Sequence, residues 1–98
     1  MIKNAGKMTC GSVNIMGQNM CFTSTSVTTA KESMNIRASG IISMEAGAKI
    51  GFHDHMMTII AACEAKSIQS LDNHTLQVVD VAGVAHNYDM NSDCSYPS

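Results

Sequence analysis

The stretch Met34-Asn35-Ile36-Arg37-Ala38-Ser39-Gly40-Ile41-Ile42-Ser43-Met44-Glu45-Ala46-Gly47-Ala48-Lys49-Ile50 decides the fold class. Apolar residues come in pairs one residue apart, Met34/Ile36 and Ile42/Met44, with Ala, Ser and Gly between them. A spacing of two within each pair means a short strand with one buried face. The small residues between pairs suit corners, where the chain must turn or take positive φ.

Working outward, the same rhythm runs from about residue 8 to residue 60. The pairs are Val13/Ile15, Met20/Phe22, Val27 with Thr29, Met34/Ile36, Ile42/Met44, Ile50/Phe52 and Met57/Ile59, and their first members are 7, 7, 7, 8, 8 and 7 residues apart. Apolar residues so placed make no single helical stripe. One short strand per seven or eight residues predicts a β-solenoid or an intertwined β-prism, whose repeats bury their apolar face only against neighbouring coils or other chains. The competing architecture is a small antiparallel sandwich, against which the chain lacks Asn-Gly and Asp-Gly hairpin turns. After residue 60 the rhythm loosens. Residues 59–68 read as strand in preference to a short helix, Leu76/Val78, Val79/Val81 and Val84 are β-like, and the tail from Tyr88 to Ser98 is polar and expected to fray or cap the end. The chain therefore divides into a repetitive region, 1–60, and a tip or cap segment, 61–98, within one domain.

Composition fits a thin core. The 98 residues include four aromatics but nine methionines, which fill irregular space. Only 14% are charged, so the outward faces are built from Ser, Thr, Asn and Gly. A net charge of −2 with six basic residues gives no nucleic-acid footprint. No apolar run reaches the length of a membrane-spanning helix, and the N-terminus shows no signal-peptide core, which predicts synthesis in a cytoplasm. Cys10, Cys21, Cys63 and Cys94 form no CxxC or zinc-finger spacing and read first as small buried hydrophobes, with disulfides formed after release, within or between chains, as the alternative. Asn73-His74-Thr75 has the form of a glycosylation acceptor; without a secretory signal it is read as coincidence.

The chemistry-bearing feature is Gly51-Phe52-His53-Asp54-His55. If residues 53–59 form one strand, His53, His55, Met57 and Ile59 share its inward face and Asp54 points out. His74 and His86 lie in no pattern. Walker, dinucleotide and nucleophile-elbow motifs are absent, so no catalytic residue is assigned and the chain reads as a non-enzyme.

The repeat over residues 8–60 resembles the "apolar-x-apolar-x-Ala-Gly-x-x" repeats of spike proteins in contractile injection machines: contractile phage tails, type VI secretion spikes and extracellular injection particles. That resemblance implies an intertwined trimeric β-helix, a rigid needle at the tip of a virion tail or injection particle. It would dock on a baseplate hub or spike-base protein and pierce the target envelope transiently, after synthesis in a bacterial cytoplasm. Short phage spikes of this kind carry a His-x-His near the tip. The resemblance therefore implies His53 and His55 as metal ligands, six imidazoles from a homotrimer holding one iron ion on the axis, with zinc as the alternative. In those spikes the pair lies close to the C-terminal tip, whereas here 43 residues (56–98) follow it. The chain also lacks the barrel that heads longer spikes. It is comparable in size to the PAAR tip proteins, single-chain cones with a zinc held by three His and a Cys; His74, His86 and Cys94 would be available for such a site, but no PAAR motif is present. Gly47 with His53-Asp54-His55 also opens like the cupin metal motif of a small jelly-roll enzyme or sugar-binding module. Against that stand Ile59 and Ile60 where the motif expects Glu, and the lack of a second motif. A plain structural β-repeat without metal is the third reading.

Overall fold

The computed structural model describes residues 2–4 and 6–96, the side chains of residues 2 and 3 excepted. The chain is all-β, with no helix among the described residues. The strands are β1 (Ile2–Asn4), β2 (Lys7–Gly17), β3 (Met20–Phe22), β4 (Val27–Met44), β5 (Lys49–Phe52), β6 (His55–Ile59), β7 (Cys63–Asp72), β8 (Thr75–Asp80), β9 (Ala85–Asp89) and β10 (Cys94–Tyr96). All belong to one sheet that curls into a nearly closed barrel.

The first half is a parallel coil. Ile2 stands beside Met20 and Met20 beside Ile42; Val13 stands beside Met34; Lys7 stands beside Val27 and Val27 beside Lys49. One turn of the coil therefore takes 18–22 residues, close to three of the seven- or eight-residue steps. Each turn lays one strand segment on each of three faces, and one chain closes the triangle by itself. The corners turn as the small residues allow: Gly47, at φ 101°, sits where a Cβ would come 3.0 Å from the Ser24 carbonyl oxygen of the turn below.

Six of the seven expected pairs contribute inward residues, and Val27/Thr29 does not. There the inward pair is Thr28 and Ala30, both fully buried and stacked on Ile50 and Phe52. The Asn4 side-chain amide donates to the Thr28 hydroxyl (2.7 Å), which settles a polar group on the core side. Apolar pattern alone misjudges this strand because its inward residues are a threonine and an alanine.

The coil stops at His53-Asp54. A two-residue turn reverses the chain, and β6 runs back antiparallel to β5. Strand β7 then covers the ends of two faces antiparallel to β4, β8 and β9 follow as a meander, and β10 crosses to lie parallel to β6. Five ladders are thus parallel (β1–β3, β2–β4, β3–β4, β4–β5, β6–β10) and four antiparallel. Of the strand expected over residues 59–68, Ile59 and 63–68 are strand and 60–62 are a connection; Leu76, Val78 and Val79 lie in β8, whereas Val81 and Val84 fall in the turn after it. The polar tail is no frayed end: Met90 and Tyr96 are buried, and the Tyr96 ring meets Tyr88 and His86 edge-on, bringing β10 against β9 to close the barrel. Pro97 and Ser98 lie outside the described residues.

Stacking puts like on like. One inward row reads Ile15, Ile36, Ile68, Val78, His86 across five strands, and the outward row beside it reads Asn14, Asn35, Gln69, Gln77, Asn87. In the outward row the Gln69 amide donates to Gln77 (2.9 Å) and the Gln77 amide to Asn87 (3.1 Å). The chain measures 29 × 28 × 23 Å.

Candidate functional site

Three reversals meet at one corner of the barrel. They are the β5–β6 turn (His53-Asp54), the β7–β8 turn (Asn73-His74) and the β9–β10 loop (Met90–Asp93). Together they line an open depression of about 240 Å³, walled by His53, Asp54, His55, Asn73, His74 and Asn91, with buried Met90 at its base.

The sequence places His53 and His55 on one inward strand face; the structure separates them. Strand β6 starts at His55, and His53 lies in the turn, exposed, at φ 59°. A two-residue hairpin wants positive φ at its first loop position, where glycine is the usual occupant. A histidine there is an uncommon backbone choice, of the sort found at functional positions. Its ring packs edge-on against Phe52 (centroids 5.9 Å apart). His55 keeps inward parity, opposite Phe52, but at the corner it is only half-buried. Met57 and Ile59 are buried and Asp54 is exposed, as expected.

Carboxylates stand beside two of the three imidazoles. Asp93 Oδ1 lies 3.4 Å from His55 Nδ1 and accepts the Met56 N–H at 2.9 Å. Asp72 Oδ1 accepts the His74 N–H at 2.9 Å and lies 3.6 Å from His74 Nδ1, which also pairs with the Thr75 hydroxyl at 3.3 Å. Asp89 stands 4.0 Å from the same ring nitrogen. The carbonyl of His74 accepts the Met90 N–H at 2.6 Å, which joins the second reversal to the third. The Met56 N–H, and next the His55 contact, hold the Asp93 carboxyl below the usual range; the His74 N–H first, then the Thr75 hydroxyl and the His74 charge, do the same for Asp72.

Sequence reasoning left His74 without a role and did not single out Asp72, Asp89 or Asp93. Only the fold brings residues 53–55, 72–74 and 89–93 together, because the reversal at His53 has no repeat signature. His86 lies apart from this corner, its Nε2 2.9 Å from Asp80 Oδ2. Cys94 is half-buried, its thiol donating to Met90 Sδ (3.7 Å).

As to the implied metal, one chain offers only two imidazoles in the His53/His55 pair. Among the described residues no three His, Cys, Asp or Glu side chains converge closely enough to hold an ion as they stand. A second depression, of about 380 Å³, carries Cys21 and Cys63 beside Glu45 and Glu64. Burial and then the Glu64 charge push the Cys63 thiol up, which disfavours the nucleophilic thiolate.

Compared with known protein families, curated proteins and solved structures, the chain finds no match. Its function is therefore argued from geometry.

Proposed function

We infer that the chain is a structural tip piece: a rigid β-prism that caps the end of a β-helical spike in a contractile phage tail or related injection machine. The observation that carries this reading is the asymmetry of the stack. At one end the first coil presents β2, an eleven-residue strand that among the described residues pairs only with β4, which leaves its other edge open there. At the opposite end the chain doubles back: β9 and β10, each paired on one side, are brought together through the Tyr96 contacts with Tyr88 and His86, and Met90 and Tyr96 are buried there. An open parallel edge is a template for another strand, and a β-helix ending in the same three-faced coil supplies one. A far end whose two edge strands are turned toward each other is a poorer template than the open parallel edge of β2, which suits a terminal piece.

The assembly that goes with this reading is a homotrimer docked on a hub or spike-base protein. Three copies meeting at the His53/His55 corner would bring six imidazoles to one ion, and six nitrogens in an octahedron suit iron better than four-coordinate zinc. The cupin reading rests on an antiparallel jelly roll, a poor fit to a fold with five parallel ladders.

Immunogold labelling of contractile particles from a host expressing the tagged chain tests the role. Label at the apex supports it, and particles without label overturn it. Mass in solution together with iron content tests the assembly: a metal-free monomer removes the trimeric clamp while leaving the cap reading standing.

A further inference from the structure

We propose that the open first coil is the docking face for a second copy of this chain, the two stacking head to head about a twofold axis with their β2 strands paired antiparallel. The inference does not rest on the spike reading. Both partners would use the β2 edge, so a chain that docks on a spike must first part from its copy.

The first observation is a layer of core left uncovered. Met8 and Cys10 continue the inward rows of Thr28 and Ala30, and Val13 and Ile15 continue those of Met34 and Ile36. The four residues of the second turn are at most 1% exposed, whereas Met8 and Ile15 are half-buried and Cys10 is exposed. The edge also lacks the usual protection: along its eleven residues β2 carries one charge, Lys7, and no proline.

The second observation is that this edge complements itself. A twofold interface sets residue i against j and j against i. Strand β2 passes from one face to the next at Gly11 and Ser12, where its ladder with β4 slips. Setting that corner against the same corner of the second copy puts Gly11 opposite Ser12, and the other pairs follow. Inward Cys10 meets the second copy's Val13 and inward Met8 its Ile15; outward Thr9 meets Asn14. The Lys7 stem lies along Met16, a side chain 72% exposed in the single chain. A shift of one residue would set Cys10 against Asn14 and Thr9 against Ile15, core positions against outward ones, so the pattern selects one register.

The corner itself leaves room for this approach. Between the paired positions on either side of it, β4 carries exposed Lys31 and Glu32 where β2 has Gly11 alone. A Cβ at Gly11 would meet nothing within 4 Å. No side chain there holds two copies apart, and the strands can reach the spacing of about 4.8 Å that a ladder needs. At the far end β9 and β10 are turned toward each other, which favours head-to-head over head-to-tail stacking.

Sedimentation equilibrium from about 1 µM to about 500 µM protein provides the test. We expect a monomer at the lowest concentration and a dimer at the highest. Cys10→Lys, which sets a charge between the copies, should give a monomer throughout, while Val84→Lys, on the exposed turn after β8, should keep the dimer. Cys10 is exposed in the single chain; its thiol labelling should slow at least about fivefold from the lowest concentration to the highest. In a Cys10→Ala background, mild oxidation of Thr9→Cys/Asn14→Cys should link position 9 of one copy to position 14 of the other, as mapped by mass spectrometry. Circular dichroism separates lost association from lost fold, and Met8→Lys replaces Cys10→Lys if the latter unfolds. A dimer that survives the charge in a folded variant, or a trimer, overturns the proposal. So does a monomer at every concentration, which leaves the cap reading standing.

Discussion

Asp93 and His55 close the last loop onto the corner where the coil reverses: the Asp93 carboxylate lies 3.4 Å from the His55 ring while taking the N–H of the next residue, Met56. That carboxyl is held below its usual range, by the backbone donor first and by His55 after it, as are Asp72 and Asp80 by their own partners. A lowered folded-state pKa gives stability that is complete above the unfolded value, about 3.9, and drains away as pH falls through the folded values. Thermal melts at stepped pH should therefore show Tm falling below about pH 4. Asp93→Ala should lower Tm at pH 7 and weaken that acid dependence. An Asp93→Ala profile identical to the parent's at every pH would refute the coupling.

Of the described glycines, Gly40 has the least room for a side chain. Its N–H donates to the Gln18 carbonyl at 2.7 Å, and a Cβ would fall within 3.0 Å of that same oxygen and of Asn19 Oδ1. Gly40→Ala should cost about 1–3 kcal/mol, as overpacking does. Gly11→Ala, which meets nothing within 4 Å, should stay within about 0.5 kcal/mol of the parent. Urea titration of both variants distinguishes them.

How much of this was legible beforehand divides at residue 53. The repeat with its apolar pairs is written in the sequence because each inward position is filled by a Met, Ile, Val or Phe at fixed spacing. Its one misread strand is the one whose core residues are Thr28 and Ala30. The reversal at His53-Asp54 left no such mark, since Met57/Ile59 arrives on schedule and is buried, but on a strand running backwards. Three of the later turns, at His53-Asp54, Asn73-His74 and Val81–Val84, contain no Asn-Gly or Asp-Gly, so their absence was no argument against hairpins. The site suffered for the same reason: parity along one strand joined His53 to His55, while the partners His74 and Asp93 depend on contacts between hairpins.

Tyr96 should prove the anchor of the capped end. It is 4% exposed and wedged between Tyr88 and His86. Tyr96→Ala should cost about 3–5 kcal/mol, the range for large aromatics in a core. Met16→Ala, at a side chain 72% exposed on β2, should change stability by no more than about 0.5 kcal/mol. Hydrogen exchange should show Tyr96→Ala releasing β9 and β10 before the parallel coil.

The thiols should sort by position. Cys10 is exposed on β2, whereas Cys63 and Cys94 are half-buried. Burial pushes both of the latter up, with Glu64 adding to it for Cys63 and Asp93 with Asp89 for Cys94. Thiol-labelling kinetics followed by mass spectrometry at pH 8 should mark Cys10 first, with Cys63 and Cys94 reacting rapidly only after denaturation. Equal rates for all three in the folded protein would contradict this placement.

The outward row from Asn14 to Asn87 runs up one face at right angles to the strands, in the same direction as the backbone hydrogen bonds between coils. Amides neither titrate nor carry net charge, so acid and salt leave this row untouched while they act on the carboxylates at the corner. A push along the stack would press these bonds together instead of shearing them. The uncharged amide row and the acid-sensitive corner thus reside in different residues of the same molecule.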